Sequence, residues 1–347
     1  MYYSYEEIFH QEDVLRTAFQ RVQEEAEQIE AFFRGEEYTE ILFLACGSSY
    51  WASLSAAVTM EENLGVLCHA VKSGEVVLNP EYYRKHYTRP LLLVPSRSGN
   101  TSETSMAIDI LREAYGCKVF ALVEYDHSPI EQKADYVLRF PESNEKSVCQ
   151  TRSFTTMYLA MVSIAAIVGG NRKLLGDLDG FLSEGDSYTE LARKQMKEIT
   201  SSFDFRSLVA LGYGRQYGVV IEGAYINIEM AQFSSHYYQM MEWRHGPIVL
   251  ADDTYLVCMT CNGGAGKEYE EAMAKETREK GAKVLIIGGT DDYDHADYRI
   301  AVGKEWEPEI TALFSIMLMQ GMAYYNALRT GRNPDVPKDL VPWIEIP

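Results

Sequence analysis

The sequence predicts an α/β fold made of two tandem units, each built around a parallel β-sheet. Three short apolar runs of the first half recur in the same order in the second half: 41–45 with 207–211, 91–94 with 255–258, and 118–122 with 283–287. The separations are 166, 164 and 165 residues. Each run is continuous and precedes a helical pattern, which is typical of strands buried on both faces of a parallel sheet. We therefore expect two copies of one α/β unit.

Length, composition and charge agree with this fold and exclude several function classes. The chain has 347 residues, of which 46% are hydrophobic, enough for two cores. Its formal net charge of −19 would repel a polyanion, so we expect no nucleic-acid partner and no membrane surface. The acidic N-terminus lacks the basic and apolar regions of a secretory signal, which predicts a cytoplasmic location. The longest apolar stretch, 157–168, is about half the length of a membrane helix and predicts a buried core helix.

The six cysteines do not follow the spacing of a disulfide framework, which fits a reducing compartment. Cys258 and Cys261 have the spacing of a redox or metal pair, but they lie in an apolar run that predicts a strand interior. No second pair of ligands stands at zinc-binding spacing. We expect buried thiols there, and neither a metal nor a redox cofactor in the protein.

The remaining elements follow in chain order. Residues 1–33 predict an N-terminal helical segment with apolar side chains at positions 14, 18, 19, 22 and 26 on one side. After the strand at 91–94, Asn100 is a candidate N-cap of a helix that ends at Gly116. Gly, Asp and Ser cluster between residues 176 and 186, which separates a first domain at 34–175 from a second at 187–347.

Two loops rich in small hydroxyl residues follow the first and second strand-like runs of the first copy. They read ACGSSY at 45–50 and PSRSGNTSET at 95–104. In an open parallel sheet, ligands bind beyond the carboxyl ends of the strands, where helix N-termini present unpaired N–H groups. Hydroxyl donors and close-approach glycines at that place suit a phosphate, although serine and threonine are also common at turns and N-caps.

The corresponding loops of the second copy read GYGRQY and CNGGAGK, and they lack this hydroxyl pattern. The difference favours phosphate binding in the first copy and divergence of the second.

A helical stretch of the second copy, 221–232, carries two glutamates. Glu222 and Glu229 are seven residues apart, which places them on one side of the helix two turns apart. If that side faces a cleft, burial and mutual repulsion raise the pKa of at least one carboxyl toward the range of a general base. Two solvated glutamates on an exposed face are the alternative.

A single histidine, His245, lies in the segment EWRHGP. The Gly246-Pro247 pair forces a turn after it. Most lone histidines are structural, so this residue type alone does not decide between a structural and a catalytic role.

The motifs ACGSSY, SRSGNTSET, TRSFTTM, IEGAYINIE and EWRHGP resemble, in this order, the sugar isomerase (SIS) domain family. The resemblance spans about 35–347 and has the double-domain arrangement of the isomerase half of glucosamine-6-phosphate synthase and of fructosamine-6-phosphate deglycases. It implies two tandem SIS domains, each a flavodoxin-like parallel-sheet α/β/α sandwich.

The resemblance also implies a sugar-phosphate site. Its substrate-binding residues would be Ser48, Ser49, Ser96, Arg97, Ser98, Thr101, Val148, Thr151 and Glu222. Glu229 corresponds to the family's proton-shuttling glutamate and His245 to its ring-opening histidine. In relatives that histidine comes from the neighbouring subunit, so a homodimer with shared sites is implied.

The sequence departs from the synthase pattern at several positions. Arg97 replaces a glutamine, and it could reach the phosphate, reach a substrate carboxylate, or be solvated. Pro342 stands where the synthase has a Schiff-base lysine, Lys338 is four residues earlier, and Ile226 replaces a second lysine. Without the synthase's glutaminase half in this sequence, we expect no nitrogen transfer from glutamine.

These features predict a fructosamine-6-phosphate deglycase that yields a hexose 6-phosphate and a free amine or amino acid. A ketosamine carries its own nitrogen, so enolisation at C1 and C2 needs no enzyme lysine. An aldose–ketose isomerase, a glucosamine-6-phosphate deaminase and a non-catalytic sugar-phosphate sensor are the alternatives. Candidates for the amine pocket are Tyr213, Arg215, Tyr237, Tyr238 and Trp343.

Overall fold

The computed structural model describes residues 2–288, 293–301 and 304–343, and the chain divides into two units. The first unit comprises Glu12–Glu145, Arg152–Ser183 and Val341–Pro347. The second unit comprises Met1–Gln11, Lys146–Thr151 and Glu184–Leu340.

The described residues form fourteen α-helices and ten strands. The helices are α1 Tyr3–Phe9, α2 Glu12–Glu24, α3 Ala26–Gly35, α4 Gly47–Leu64, α5 Ser73–Leu78, α6 Pro80–His86, α7 Ser102–Tyr115, α8 Pro129–Lys133, α9 Arg152–Gly169, α10 Arg172–Ser183, α11 Gly185–Ser202, α12 Tyr217–Ala231, α13 Lys267–Glu279 and α14 Pro308–Arg329. The strands are β1 Glu40–Ala45, β2 Leu67–Lys72, β3 Pro90–Ser96, β4 Val119–Val123, β5 Tyr136–Arg139, β6 Ser207–Gly212, β7 Ser235–Gln239, β8 Tyr255–Thr260, β9 Lys283–Ile287 and β10 Tyr298–Ile300.

Each unit contains one five-stranded sheet in which every strand pair is parallel. The first sheet has the order β2-β1-β3-β4-β5, and the second has the order β7-β6-β8-β9-β10. Both orders place the first strand between the second and the third, as in flavodoxin. The predicted pair of parallel-sheet α/β units is confirmed, and the apolar runs that predicted it are the central strands.

The central strands of the first unit are buried on both faces. On one face, Leu92 and Val94 pack in a cluster with Ala107 and Leu111 of α7. On the other face, Phe120 of β4 packs against α3, with its ring centroid 5.4 Å from that of Phe32. This two-sided burial explains why the strands read as continuous apolar runs rather than as an alternating pattern.

The second unit is built in the same way. Val257 and Met259 of β8 pack with Met273 of α13 on one face of the sheet. Helices α12 and α14 also pack closely against each other. Gly223 of α12 leaves no room for a side chain at this contact, since a Cβ there would lie 2.9 Å from Cγ of Met319 on α14.

The N-terminal segment forms three helices rather than the single helix that the apolar spacing predicts. The helices are interrupted at residues 10–11 and at Glu25. Of the apolar residues on the predicted face, Ala18 and Val22 are fully buried, whereas Val14 and Ala26 are half-buried. Local chain breaks leave the apolar spacing intact, and for this reason the pattern did not reveal them.

Helix α9 contains the long apolar stretch of the sequence. By length and composition alone it could cross a bilayer, but 83% of this helix is buried inside the protein. The expectation of a core helix is therefore confirmed. The six cysteines are free thiols, and burial raises the pKa of Cys258 and of Cys261 above the ordinary value of a thiol.

Candidate functional site

Both hydroxyl-rich loops of the first unit lie at the carboxyl ends of neighbouring strands. The first connects β1 to α4, the second connects β3 to α7, and β1 pairs directly with β3. The first-turn N–H groups of α4 and α7 have no acceptor within their own helix, an arrangement that is typical of anion sites in proteins. We call these two loops, residues 45–50 and 95–104, the cradle.

The serines of the cradle organise its backbone. The Ser96 hydroxyl oxygen accepts a hydrogen bond from Gly99 N–H at 3.1 Å, and the Ser98 hydroxyl oxygen accepts one from Asn100 N–H at 3.1 Å. Ser48, Ser49, Ser96 and Ser98 are all at most 5% exposed, and Thr101 is half-buried. Since the two loop hydroxyl oxygens accept hydrogen bonds from the backbone, each hydroxyl can still donate its own proton to another acceptor.

Gly99 determines the path of the second loop. Its φ of +64° is left-handed, and a Cβ there would lie 2.1 Å from the Ser128 hydroxyl oxygen. A side chain at this position would therefore clash with Ser128 and displace the loop. The following helix begins with Thr101 rather than Asn100 as the N-cap, because the Asn100 side chain donates to the Ser98 carbonyl oxygen instead.

Arg97 is not solvated, so that sequence-based alternative is wrong. Its side chain is 7% exposed, and one guanidinium nitrogen lies 3.8 Å from the Glu145 carboxylate. The other donates a hydrogen bond to the carbonyl oxygen of Pro342 at 2.7 Å. Arg97 therefore connects the cradle to the C-terminal tail of its own unit.

A second buried acid, Glu124, lies next to Arg97 and was not singled out from the sequence. It directly follows β4, its backbone N–H donates to the Arg97 carbonyl oxygen at 3.2 Å, and it is 2% exposed. Burial raises its pKa well above the ordinary carboxyl value, and the neighbouring Glu145 raises it further. The positive charges of Arg97 and Arg152 lower the pKa of Glu124, but each has a smaller effect than burial or Glu145. Glu124 was missed because a single glutamate after a strand carries no distinctive spacing.

A groove of about 460 Å³ lies on the same unit, at the edge of the sheet beside β2. Four tyrosines, two histidines, Lys72 and Glu75 line it, and one of the tyrosines is Tyr50 in the first turn of α4. The Lys72 ammonium lies 5.2 Å from the centroid of the Tyr50 ring and 5.4 Å from that of Trp51. The groove therefore combines aromatic surfaces with one cation and one anion.

The two glutamates of the second unit lie on α12. Glu222 is fully buried and Glu229 is half-buried. Tyr225 lies one turn from each, and its pKa is raised by burial first and then by the charges of Glu229 and Glu222. Both carboxylates therefore act on the same phenol, as expected of residues that share one side of the helix, and neither is fully exposed.

His245 lies in a turn and is exposed in the single chain. The turn is held by its neighbours: Trp243 is buried and donates from its indole N–H to the Thr277 hydroxyl at 3.1 Å, and Arg244 pairs with Glu276 at 3.0 Å. Within the part of the chain that the structure describes, the imidazole makes no hydrogen bond or ion pair. The exposed apolar residues Val249 and Leu250 follow it.

The other residues implied by the resemblance also fall in the second unit. Val148 donates its backbone N–H to the Asp335 carbonyl oxygen, and Thr151 is buried with its carbonyl oxygen bonded by Gln320. Ile226, at the position of a synthase lysine, packs in an apolar cluster with Ile8. Lys338 has a 77% exposed side chain.

Tyr213, Arg215 and Tyr238, candidates for the amine pocket, contact other side chains of the second unit. The Tyr213 hydroxyl donates to Glu270 at 2.8 Å, and Arg215 pairs with Glu309 at 3.3 Å. The Tyr238 ring packs on Trp243, with centroids 5.3 Å apart. Packing, the default role of tyrosine, accounts for Tyr238. Among residues 2–288, 293–301 and 304–343 no group of three or more His, Cys, Asp or Glu side chains could hold a metal ion.

Comparison with known proteins gives a family match over the first unit. Residues 37–168 match the model described as "SIS domain". The chain is similar to the glutamine–fructose-6-phosphate aminotransferase (isomerizing) of Xylella fastidiosa, at 25% identity over 339 residues. This match covers 92% of the chain and 53% of the relative, so the chain spans about half the length of the curated relatives it matches.

Two solved structures have the same fold. A glucosamine-6-phosphate deaminase from Thermotoga maritima is 24% identical, with a TM-score of 0.78 over 95% of this chain and 99% of that one. The tagatose-6-phosphate ketose/aldose isomerase of Escherichia coli is 21% identical, with a TM-score of 0.86 over 99% of this chain and 96% of that one.

Proposed function

We propose that this chain, whose residues 37–168 match the SIS domain model, is a fructosamine-6-phosphate deglycase. The substrate would be a 6-phosphorylated ketosamine, and the products a hexose 6-phosphate and a free amine or amino acid. The observation that carries the proposal is the cradle, whose buried serines hold their backbone as acceptors and keep their protons for an anion.

The chemistry assigned to the chain is an enolisation. Glu229 would remove a proton from C1 of the open-chain ketosamine and return it to C2, and His245 would act as the acid and base at the ring oxygen and the C2 hydroxyl. Water then hydrolyses the resulting aldimine to an aldose and an amine. The cradle would supply binding energy from the phosphate, away from the reacting carbons.

The absence of a lysine at the Schiff-base position favours a substrate that carries its own nitrogen. Pro342 occupies that position, and its carbonyl oxygen is bonded to Arg97. Lys338, the nearest lysine before it, has a side chain that is 77% exposed. A ketosamine forms its imine from its own amine, so it requires no enzyme amine.

The groove beside β2 is assigned to the amine part of the substrate. It begins at Tyr50, the residue after Ser49 of the cradle, and it contains one cation and one anion. Lys72 and Glu75 are complementary to the carboxylate and ammonium of an amino acid. Lys72→Met should therefore raise KM for fructosyl-lysine 6-phosphate and leave KM for the methylamine counterpart unchanged. An equal change in KM for both substrates would refute the assignment of the groove to the amine part, and the proposed deglycase activity would still stand.

A homodimer is part of the proposal. His245 is exposed, and the apolar residues Val249 and Leu250 near it are 77% and 51% exposed. Contiguous exposed apolar residues are typical of a protein contact. Sedimentation of the full chain tests this, and a monomer at micromolar concentration would contradict it.

The second candidate is an aldose–ketose isomerase or an aminosugar-phosphate deaminase. It is favoured because the similar aminotransferase of Xylella fastidiosa is named as an isomerizing enzyme. The test is a substrate panel of fructosyl-lysine 6-phosphate, its methylamine counterpart, fructose 6-phosphate and glucosamine 6-phosphate. Release of glucose 6-phosphate from the first two supports deglycation. Turnover of only the last two would replace the proposal with the second candidate, and tight binding without turnover would indicate a sensor.

A further inference from the structure

The two strand-end loops of the second unit surround a carboxylate of the protein itself. These loops, residues 212–216 after β6 and 261–266 after β8, correspond to the two loops of the cradle because the two sheets have the same strand order. The backbone N–H groups of Asn262 and Gly263 donate to the two carboxylate oxygens of Glu270, at 2.8 and 3.1 Å.

Two tyrosine hydroxyls complete the set of donors. Tyr213, from the loop after β6, donates to one oxygen of Glu270 at 2.8 Å, and Tyr293, from the segment after β9, donates to the other. Glu270 is 1% exposed. The carboxylate therefore receives four hydrogen bonds, from the loops after three neighbouring strands.

The backbone of these loops is shaped for this contact. Gly263 has a left-handed φ of +68°, like Gly99 in the cradle at +64°. A Cβ at Gly266 would lie 2.5 Å from the Tyr213 hydroxyl oxygen, so only glycine lets that hydroxyl reach Glu270. The cavity that remains beside Tyr213 and Glu270 has about 140 Å³, which is less than a small-molecule site of about 300 Å³ or more requires.

We propose that the anion position of the second unit is filled by the carboxylate of Glu270, so that this unit binds no phosphosugar. The position has the features of an anion site at the carboxyl edge of a parallel sheet: backbone N–H donors, left-handed glycines and hydroxyl groups. Its occupant comes from the fourth residue of α13. The site takes a small carboxylate, and the chain supplies one.

The inference does not depend on the deglycase reaction. Its consequence for stoichiometry, one phosphosugar for each chain, does rest on the proposed function of the cradle. The test therefore uses acetate and no phosphosugar, so that failure of the one proposal is distinguishable from failure of the other.

The experiment is chemical rescue of Glu270→Ala in the full chain. This change deletes a CH₂–COO⁻ fragment, which acetate replaces. We expect the variant to melt about 5 °C or more below the wild type in sodium chloride at pH 7.5. Sodium acetate of equal ionic strength should restore at least half of that loss in a saturable manner, and the neutral isostere acetamide should restore none.

Matched controls exclude a general effect of acetate. Glu268→Ala makes the same deletion two residues earlier on α13, at an exposed position, so neither it nor the wild type should respond to acetate. Equal effects of acetate and acetamide on Glu270→Ala, or an unchanged melting temperature in that variant, would overturn the proposal.

Glu270→Gln provides a second test that leaves no cavity. Its NH₂ group would face N–H donors, so its urea midpoint should lie below that of the wild type at neutral pH, with no acetate response. This variant decides the question if Glu270→Ala does not fold, and a midpoint equal to that of the wild type would refute the assignment.

Discussion

Replacing Glu124 by glutamine perturbs a deeply buried acid next to the cradle. Glu124 is 2% exposed, and the pKa of its carboxyl group is raised, first by burial and then by the neighbouring Glu145. Glutamine has nearly the same shape as the protonated acid and carries no charge at any pH. The variant therefore removes the titration and keeps the packing.

The sign follows from proton binding. Because the pKa of Glu124 is higher in the folded protein than in the unfolded chain, the folded form holds more protons above about pH 4.5, the ordinary value. Each pH unit in which it holds one extra proton lowers the free energy of unfolding by about 1.4 kcal/mol. The loss in the wild type therefore grows with pH above about pH 4.5 until the pH reaches the raised pKa of the folded protein, and Glu124→Gln does not undergo it.

The assay is urea unfolding of both proteins from pH 4 to pH 8. The two midpoints should agree near pH 4, and Glu124→Gln should become the more stable protein as the pH rises through the window above pH 4.5. Glu131→Gln is the matched control of opposite sign. A hydrogen bond from Arg139 lowers the pKa of Glu131, so this variant should be less stable than the wild type at neutral pH, and the difference should begin to shrink as the pH falls below about 4.5. A difference between wild type and Glu124→Gln that does not change with pH would refute the reasoning.

Three further changes test the candidate site. Ser98→Ala should weaken phosphosugar binding about 10- to 100-fold in calorimetry, since it removes one hydrogen bond to a charged group. Ser105→Ala, on the helix α7 that follows the loop, should not weaken binding. Equal affinities of Ser98→Ala and the wild type would exclude Ser98 from phosphate binding. Gly99→Ala should abolish binding and lower the melting temperature, because its Cβ would lie 2.1 Å from a hydroxyl oxygen. Gly116 has a similar φ of +63°, but a Cβ there would have no atom within 4 Å, so Gly116→Ala should still bind the phosphosugar. If both variants lost binding, the backbone strain at positive φ would explain the loss, and the contact with Ser128 would not. His245→Gln should lower kcat about 100-fold or more and leave the melting temperature unchanged; full activity would assign this exposed residue another role.

The fold and the location of the cradle were predictable from the sequence for a local reason. Strands buried on both faces must be continuously apolar, so β1, β3 and β4 stand out together with their counterparts in the second unit. The glycines and hydroxyl residues that follow β1 and β3 mark the turn into a helix, and Gly99 indeed adopts a positive φ.

The contacts that depend on side chains distant in the sequence were not predictable. Arg97 bonds a carbonyl oxygen 245 residues away, and nothing in the loop itself specifies that partner. Likewise, the loops GYGRQY and CNGGAGK indicate divergence, but the occupant of the second anion position is a glutamate of the following helix. A glutamate in the first turn of a helix is common, so only the folded chain brings Glu270 to Tyr213.

The most direct test of the central claim is the identity of the sugar released from fructosyl-lysine 6-phosphate by the wild type and by Glu229→Gln. Enolisation moves the carbonyl group to C1 and gives glucose 6-phosphate, whereas direct hydrolysis of the C1–N bond would give fructose 6-phosphate. Nuclear magnetic resonance of the products separates the two. We expect glucose 6-phosphate from the wild type and none from Glu229→Gln, with substrate binding unchanged in the variant. Fructose 6-phosphate as the product, or a wild-type rate in Glu229→Gln, would contradict the account.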